Sequence, residues 1–381
     1  MMPPEKPLRP LQFRDVQQGH ALQKRLQQIV AEVGRPISVM HVCGSHEQAF
    51  SRFGLRRSLP PDLHVQMGPG CPVCVTDAPD IDAVIALAMA GLPVLTYGDM
   101  FAVPGRNGSL RDAQAAGARV HVIYAATQVL DFARRTSEPV IFFATGFETT
   151  AVATAAILLQ DPPPNLFVYS AHKWVPAAMD IVASVPGSSI EGFLAAGHAA
   201  TITGAAIFDA FVARHQRPVV IAGFEPLDIL SALVCLVECI QQGRREVINA
   251  FSRCVTQQGN QRALSILHRV FQQADGPWRG IAYIPGGELA LRPSFAAHDA
   301  RQRFADRLQH RMPTGQPDRE DPCRCGSIMT GTAQPVDCAL FGTTCRPEHP
   351  VGACMVSSEG PCRIWYEAGQ SGSRARDGVA P

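Results

Sequence analysis

From residue 36 onward, short apolar runs rich in β-branched side chains recur at residues 37–42, 94–97, 120–124, 140–144, 166–169 and 219–222. Longer Ala- and Leu-rich stretches such as 81–91 and 149–159 lie between them. A run with no polar alternation is apolar on both faces. A strand inside a parallel sheet requires this, and the intervening helices then cover the sheet. The pattern predicts an α/β protein with buried parallel strands. Two of the runs continue alike, one into Ala144-Thr145-Gly146-Phe147-Glu148 and the other into Ala222-Gly223-Phe224-Glu225. Each sets a glycine, an aromatic ring and a carboxylate just past a strand, at the edge where open α/β sheets bind ligands, and the likeness points to two related α/β halves. Residues 227–251 read as largely helical. Residues 311–321, polar with two prolines, read as a linker, and residues 367–381 as a disordered tail.

Length and charge narrow the classes. A chain of 381 residues exceeds one comfortable core and implies two or three domains. Lys and Arg total 34 against 33 Asp and Glu, a formal charge of +1, so no global basic field points to nucleic acid or an acidic membrane. The polar, Pro-rich start is unlike a secretory signal, and no stretch of eighteen apolar residues suggests a membrane span, so a cytoplasmic location is expected. In a reducing compartment, twelve cysteines read as metal or redox groups rather than as a disulfide framework.

Six of those cysteines, Cys323, Cys325, Cys338, Cys345, Cys354 and Cys362, crowd into a terminal segment dense in Gly and Pro. Thiolates hold soft metals, and a loop-rich segment with little apolar surface needs something to offset its ordering entropy, so the segment reads as a metal or iron-sulfur site, with a structural zinc module as the bland alternative. Cys71-Pro72-Val73-Cys74, preceded by Gly68-Pro69-Gly70, has the spacing of a redox dithiol in a rigid turn that leaves the sulfurs reachable. Cys43, directly after a strand and followed by Gly44, Ser45, His46 and Glu47, reads as an activated thiolate or a metal ligand, because a neighbouring imidazolium or metal lowers a thiol's pKa. Glu148 starts a helix after a strand and supplies a carboxylate that capping does not need, able to accept a proton or orient a thiol. His172 and His198 gain interest only if the fold brings them near Cys43. Cys235 and Cys239, with Cys254 on the continuation of their helix, read as core residues.

Assembled in order, these strings resemble the hydrogenase maturation factor HypD family. The motifs that carry the resemblance are Cys43-Gly44-Ser45-His46, Gly68-Pro69-Gly70-Cys71-Pro72-Val73-Cys74, Gly146-Phe147-Glu148-Thr149-Thr150, Gly223-Phe224-Glu225-Pro226-Leu227-Asp228, Leu340-Phe341-Gly342 and Met355-Val356-Ser357-Ser358-Glu359-Gly360. The resemblance implies two related Rossmann-like α/β domains facing a cleft and a third domain carrying a 4Fe-4S cluster. The corresponding boundaries are 12–128, 129–226 and 227–366. It further implies assembly of an iron centre with cyanide and carbonyl ligands for nickel-iron hydrogenases, with a HypC-like chaperone and a HypE-like cyanide donor as partners and the hydrogenase large subunit served indirectly. The family's cluster spacing selects Cys323, Cys338, Cys345 and Cys362, with Cys325 and Cys354 close by. Cys43 becomes the ligand of the transient iron, His46 and Glu148 manage protons, and Cys71 with Cys74 supplies electrons. Gln48 stands where the family's first motif usually has a second His, and Ala199-Ala200 stands in its Val-Ser positions after His198. The rival reading is an iron-sulfur-dependent thiol-disulfide oxidoreductase, which uses the same dithiol and cluster without Cys43.

Overall fold

The computed structural model describes residues 13–185, 187–309 and 322–369, so the expected linker and nearly all of the expected tail lie outside the described residues. In chain order the strands are β1 (Ile37–His41), β2 (Leu63–Met67), β3 (Val94–Tyr97), β4 (Val120–Ile123), β5 (Val140–Gly146), β6 (Leu166–His172), β7 (Ile190–Ala196), β8 (Val219–Ala222), β9 (Val247–Asn249), β10 (Phe271–Trp278) and β11 (Ala282–Leu291). Five form one sheet in the order β2-β1-β7-β8-β9, four form a second in the order β4-β3-β5-β6, and β10 pairs with β11 alone. Every pairing within the two larger sheets is parallel, as the unbroken apolar runs require. β5 and β6 are buried along their whole length, whereas the edge strand β2 alternates inward and outward residues.

The sheets do not follow the expected segments. β1 and β2 from the 12–128 stretch belong to the first sheet, β3 and β4 to the second, and β7 and β8 from the 129–226 stretch return to the first. The chain therefore starts one sheet, builds the other and comes back.

Three layers of apolar contact hold this together. Helix Val16–Val33 packs on helix Pro226–Gln241 over the outer face of the first sheet, where Leu26, Ile29 and Val30 meet Leu233 and Val237. Side chains from the opposite face of that sheet, such as Met40 and Ile221, share a central core with Ile141 and Phe143 of the second sheet and with helices Ala78–Met89 and Val175–Ala183. The outer face of the second sheet is covered by helices Thr127–Arg134, Glu148–Leu158 and Gln261–Val270 and by β11. The cysteine-bearing segment joins the central core through Ile328, Met329 and Met355.

The expected helix over 227–251 ends early. Helix Pro226–Gln241 stops where Gly243 adopts a left-handed φ of 67° and Arg244 N–H returns to Cys239 O, and the chain then enters β9. Cys239 remains a buried core residue and Cys235 is half-buried, but Cys254 lies beyond the strand and is exposed. Among the described residues no helix is long and apolar enough to cross a membrane.

Candidate functional site

Cys43 leaves β1 at the carboxyl edge of the first sheet and immediately precedes helix Gly44–Arg52. Its side chain is fully buried. The imidazole beside it is that of His198, whose Nδ1 lies 3.8 Å from the sulfur. His198 reaches there because it opens the helix after β7, the strand next to β1. His46, three residues after Cys43, turns Nε2 to the carbonyl of Ala222 at 3.3 Å, and its Nδ1 has no partner among the described residues. Phe224 stacks near both rings, 5.1 Å from His46 and 5.2 Å from His198. Burial pushes the Cys43 thiol up to about 12, against the opposing pull of the His46 backbone N–H, and pushes His46 down to about 3. The ring at the Cys43 sulfur is thus His198 and not the expected His46, and burial disfavours the charged form of both the thiol and the His46 ring. This thiol yields its proton only to something that brings positive charge to it.

Two other parts of the chain close on the same helix. Gly44 N–H donates to Gly70 O at 2.9 Å, and a Cβ on Gly70 would stand 2.1 Å from the Cys43 nitrogen, so only glycine lets the Cys71–Cys74 turn lie directly against Cys43. From the C-terminal side, Ser45 Oγ donates to Glu359 Oε1 at 2.8 Å and Gln48 Nε2 donates to Ser358 O at 2.8 Å. Gln48 thus faces the terminal segment. Glu47 is fully buried and accepts from Trp365 Nε1 at 2.8 Å, Arg56 Nε at 2.9 Å and His41 Nε2 at 2.8 Å. Burial alone would raise this carboxyl, but the Arg56 charge and the His41 hydrogen bond overcome it and hold Glu47 below the usual carboxylate range. Trp365 sits on helix Pro361–Glu367 with Cys362, so Glu47 ties the Cys43 helix to the cysteine segment.

Cys71 and Cys74 form a disulfide, and both are buried. The expectation that these sulfurs are reachable is corrected: Gly70 is pressed against Cys43, helix Ala353–Val356 packs on the Pro72–Val75 turn, and Arg279 N–H donates to Val75 O. Beyond the turn lies a buried charge network. Lys173, with no exposed surface, donates to Pro277 O at 2.7 Å and pairs with Glu288, while Arg301 pairs with Asp80 at 2.8 Å. Lys173 thereby locks the end of β6 to the hairpin, while Arg301 and Asp80 join helices Ala300–Arg303 and Ala78–Met89; no local sequence signal announces either pairing. Glu148 opens helix Glu148–Leu158 as expected and is fully buried, its Oε1 accepting from Val175 N–H at 2.9 Å and its Oε2 without a partner among the described residues. Burial pushes it up to about 7. His172 is occupied within the second sheet by Thr154 Oγ1 at 2.9 Å.

In the terminal segment, Cys323 and Cys325 place their sulfurs 3.1 Å apart, and Cys325 is held well below the usual thiol range by hydrogen bonds from Cys323, Cys354 and Cys362. Cys354 and Cys362, acting as donors to it, are held up. Cys338 and Cys345 are buried, and Cys345 is near enough for its charge to raise Cys362. Cys325 and Cys354, which the family spacing does not select, thus lie close to Cys323 and Cys362, which it does. A Cβ on Gly352 would lie 2.5 Å from the sulfurs of both Cys323 and Cys325, so the backbone there leaves room only for sulfur. The donor set fits an iron-sulfur cluster in kind: soft, buried thiols in a loop-rich cradle. Its spacing is that of mutually hydrogen-bonded thiols, and no group of three or more His, Cys, Asp or Glu among the described residues is disposed around a single metal ion.

Fold and site together define a class of two-sheet α/β protein in which the Cys71–Cys74 turn and the cysteine-bearing terminal segment close on the helix that follows Cys43. The family model HypD, described as the hydrogenase formation hypA family, matches residues 17–369. The chain is 39% identical to the hydrogenase maturation factor HypD of Rhizobium leguminosarum bv. viciae over 91% of its own length and 92% of that protein's. It is 38% identical to HypD of Cupriavidus necator, covering 94% and 96%, and 37% identical to a putative hydrogenase expression/formation protein of Methanocaldococcus jannaschii, covering 89% and 94%. The chain belongs to the HypD family of hydrogenase maturation factors.

Proposed function

We propose that this protein is the cytoplasmic scaffold on which the iron centre of a nickel-iron hydrogenase receives its cyanide and carbonyl ligands, working with a HypC-like chaperone and a HypE-like cyanide donor. The observation that carries this reading is the meeting of Cys43, the Cys71/Cys74 turn and the cysteine segment around helix Gly44–Arg52. Iron is the cargo. Ferrous iron brought to Cys43 supplies the positive charge that displaces the proton of a thiol burial has made reluctant, and His198 at 3.8 Å is placed to take that proton.

A 4Fe-4S cluster held by the terminal thiols supplies one-electron redox chemistry when bound. Cys71 and Cys74 would add a two-electron, two-proton couple beside it, of which the disulfide is the oxidised half. The helix Ala353–Val356, which carries Cys354, packs on this turn and gives the two redox groups a shared boundary. A dedicated thiol-disulfide oxidoreductase is disfavoured by burial of both Cys71 and Cys74, since exchange needs a substrate thiolate to reach one of the sulfurs in line.

The test is co-purification with a tagged HypC homologue followed by infrared spectroscopy. Wild type shows iron-cyanide and iron-carbonyl bands. Cys43→Ala loses them while losing only about 1 kcal/mol of stability. Bands that persist in Cys43→Ala overturn the scaffold reading.

A further inference from the structure

We propose that the Phe224 ring is the gate to Cys43, turning into an outer groove to admit a metal ion or a ligand of few atoms and turning back to seal the site, a role that rests on Cys43 being the ligand of the incoming iron.

The Cys43 side chain has no exposed surface, so in the closed arrangement nothing from solvent touches its sulfur. Phe224 packs on the cluster that Cys43 makes with Ala196 and Ala199, and its ring lies against the rings of both His46 and His198. The outer side of the same residue is part-exposed. There it lines a groove of about 530 Å³, together with Ser45 and Gln48 of helix Gly44–Arg52 and Ile364 of helix Pro361–Glu367. Phe224 is thus the wall that the groove and the Cys43 site share. Behind that wall the fully buried His46 Nδ1 has no partner among the described residues. A buried polar atom left unpaired marks a place that an entering water or ligand can satisfy.

The surroundings fix the backbone at this point and leave the ring free to turn. Phe224 stands in the short connection between β8 and helix Pro226–Gln241, outside both elements. The next residue, Glu225, accepts from Arg14 Nη2 at 2.9 Å, and its N–H donates to Asp228 Oδ2 at 3.2 Å. Asp228 in turn accepts from Arg253 Nη1 at 2.7 Å. The ring itself is held only by other rings, those of His46, His198 and Phe251. Rotation about χ1 therefore breaks no hydrogen bond and asks nothing of the pinned loop, and the groove has room to receive a benzyl group. A rotamer change of this kind is the smallest opening motion a protein makes, and it clears a passage about as wide as the ring that left it.

The test is time-resolved labelling of the folded full chain with iodoacetamide, read cysteine by cysteine by mass spectrometry. In wild type Cys43 labels slowly but ahead of Cys239, a buried thiol on the helix that begins just after Phe224. Phe224→Ala speeds labelling of Cys43 about tenfold or more and leaves Cys239 at its wild-type rate. An unchanged Cys43 rate in Phe224→Ala overturns the proposal, as does a parallel rise at Cys239, which would mean general loosening, or a wild-type Cys43 no more reactive than Cys239, which would make the ring a fixed plug. If Phe224→Ala fails to fold, Phe224→Leu, which keeps an apolar side chain without the ring, decides by the same comparison. Labelling reports access alone, so its outcome is separate from that of the infrared bands that test the scaffold reading.

Discussion

Glu148 is a carboxyl with one oxygen unpaired and no cation against it, and its consequence is thermodynamic. Burial raises its folded-state pKa to about 7 from an ordinary value of 4.5. Between those values the folded chain holds a proton that the unfolded chain releases, so stability falls as pH rises from 4.5 to 7 and is flat above. The loss is about 3 kcal/mol for a shift of this size. Glu148→Gln keeps an acceptor for Val175 N–H and removes the titration. Urea unfolding at pH 4.5 and pH 8 should show variant and wild type close together at the lower pH and the variant more stable by about that amount at the higher. Equal stability at both would mean Glu148 ionises freely. At this scale the sequence paired Cys43 with the wrong histidine. Cys43 and His46 are neighbours in sequence, yet a helix start carries successive side chains to different faces, and the ring that meets the sulfur is His198, delivered by a strand 150 residues away. Nothing local in the sequence could choose between the two histidines.

Elements were legible in proportion to their apolarity. β3 and β8 have the bounds expected from their Val- and Ile-rich runs. β7 was missed although it is central, because it carries Gly192 and ends in the weak signal of two alanines, Ala195 and Ala196; a Cβ on Gly192 would stand 2.7 Å from Leu236, so the close approach of helix Pro226–Gln241 removes the side chain that would have marked a strand. β2 was missed because an edge strand of alternating Leu63, Val65 and Met67 is short and half polar. The cysteine segment makes its own prediction. Anaerobic reconstitution with iron and sulfide should give visible absorbance in wild type, and Cys325→Ser should lose it as fully as Cys323→Ser, because the two sulfurs lie 3.1 Å apart. Gly352→Ala should lose it as well, since its methyl group would occupy space held by two sulfurs. Loss confined to Cys323, Cys338, Cys345 and Cys362 would restore the choice made by family spacing.

For the whole molecule, the fold class was readable and the partition was not. Alternating runs announce parallel sheets, but the order of strands across a sheet is decided by contacts distant in sequence, and here β1 pairs with β2 on one side and with β7 on the other. That arrangement governs how the chain must be born. β2 ends at Met67 and β7 begins at Ile190, so roughly 120 residues leave the ribosome before β1 meets its second neighbour. At typical synthesis rates this is on the order of ten seconds during which one strand edge stays open. The second sheet, made wholly from consecutive strands β3 to β6, has no such wait. Pulse-labelled hydrogen exchange during refolding should therefore find amides of β5 protected before those of β1; simultaneous protection would show that the two sheets form as one cooperative unit. A nascent chain of this topology carries a finished half and an exposed strand edge together, the state in which mispairing with another chain is most open to it.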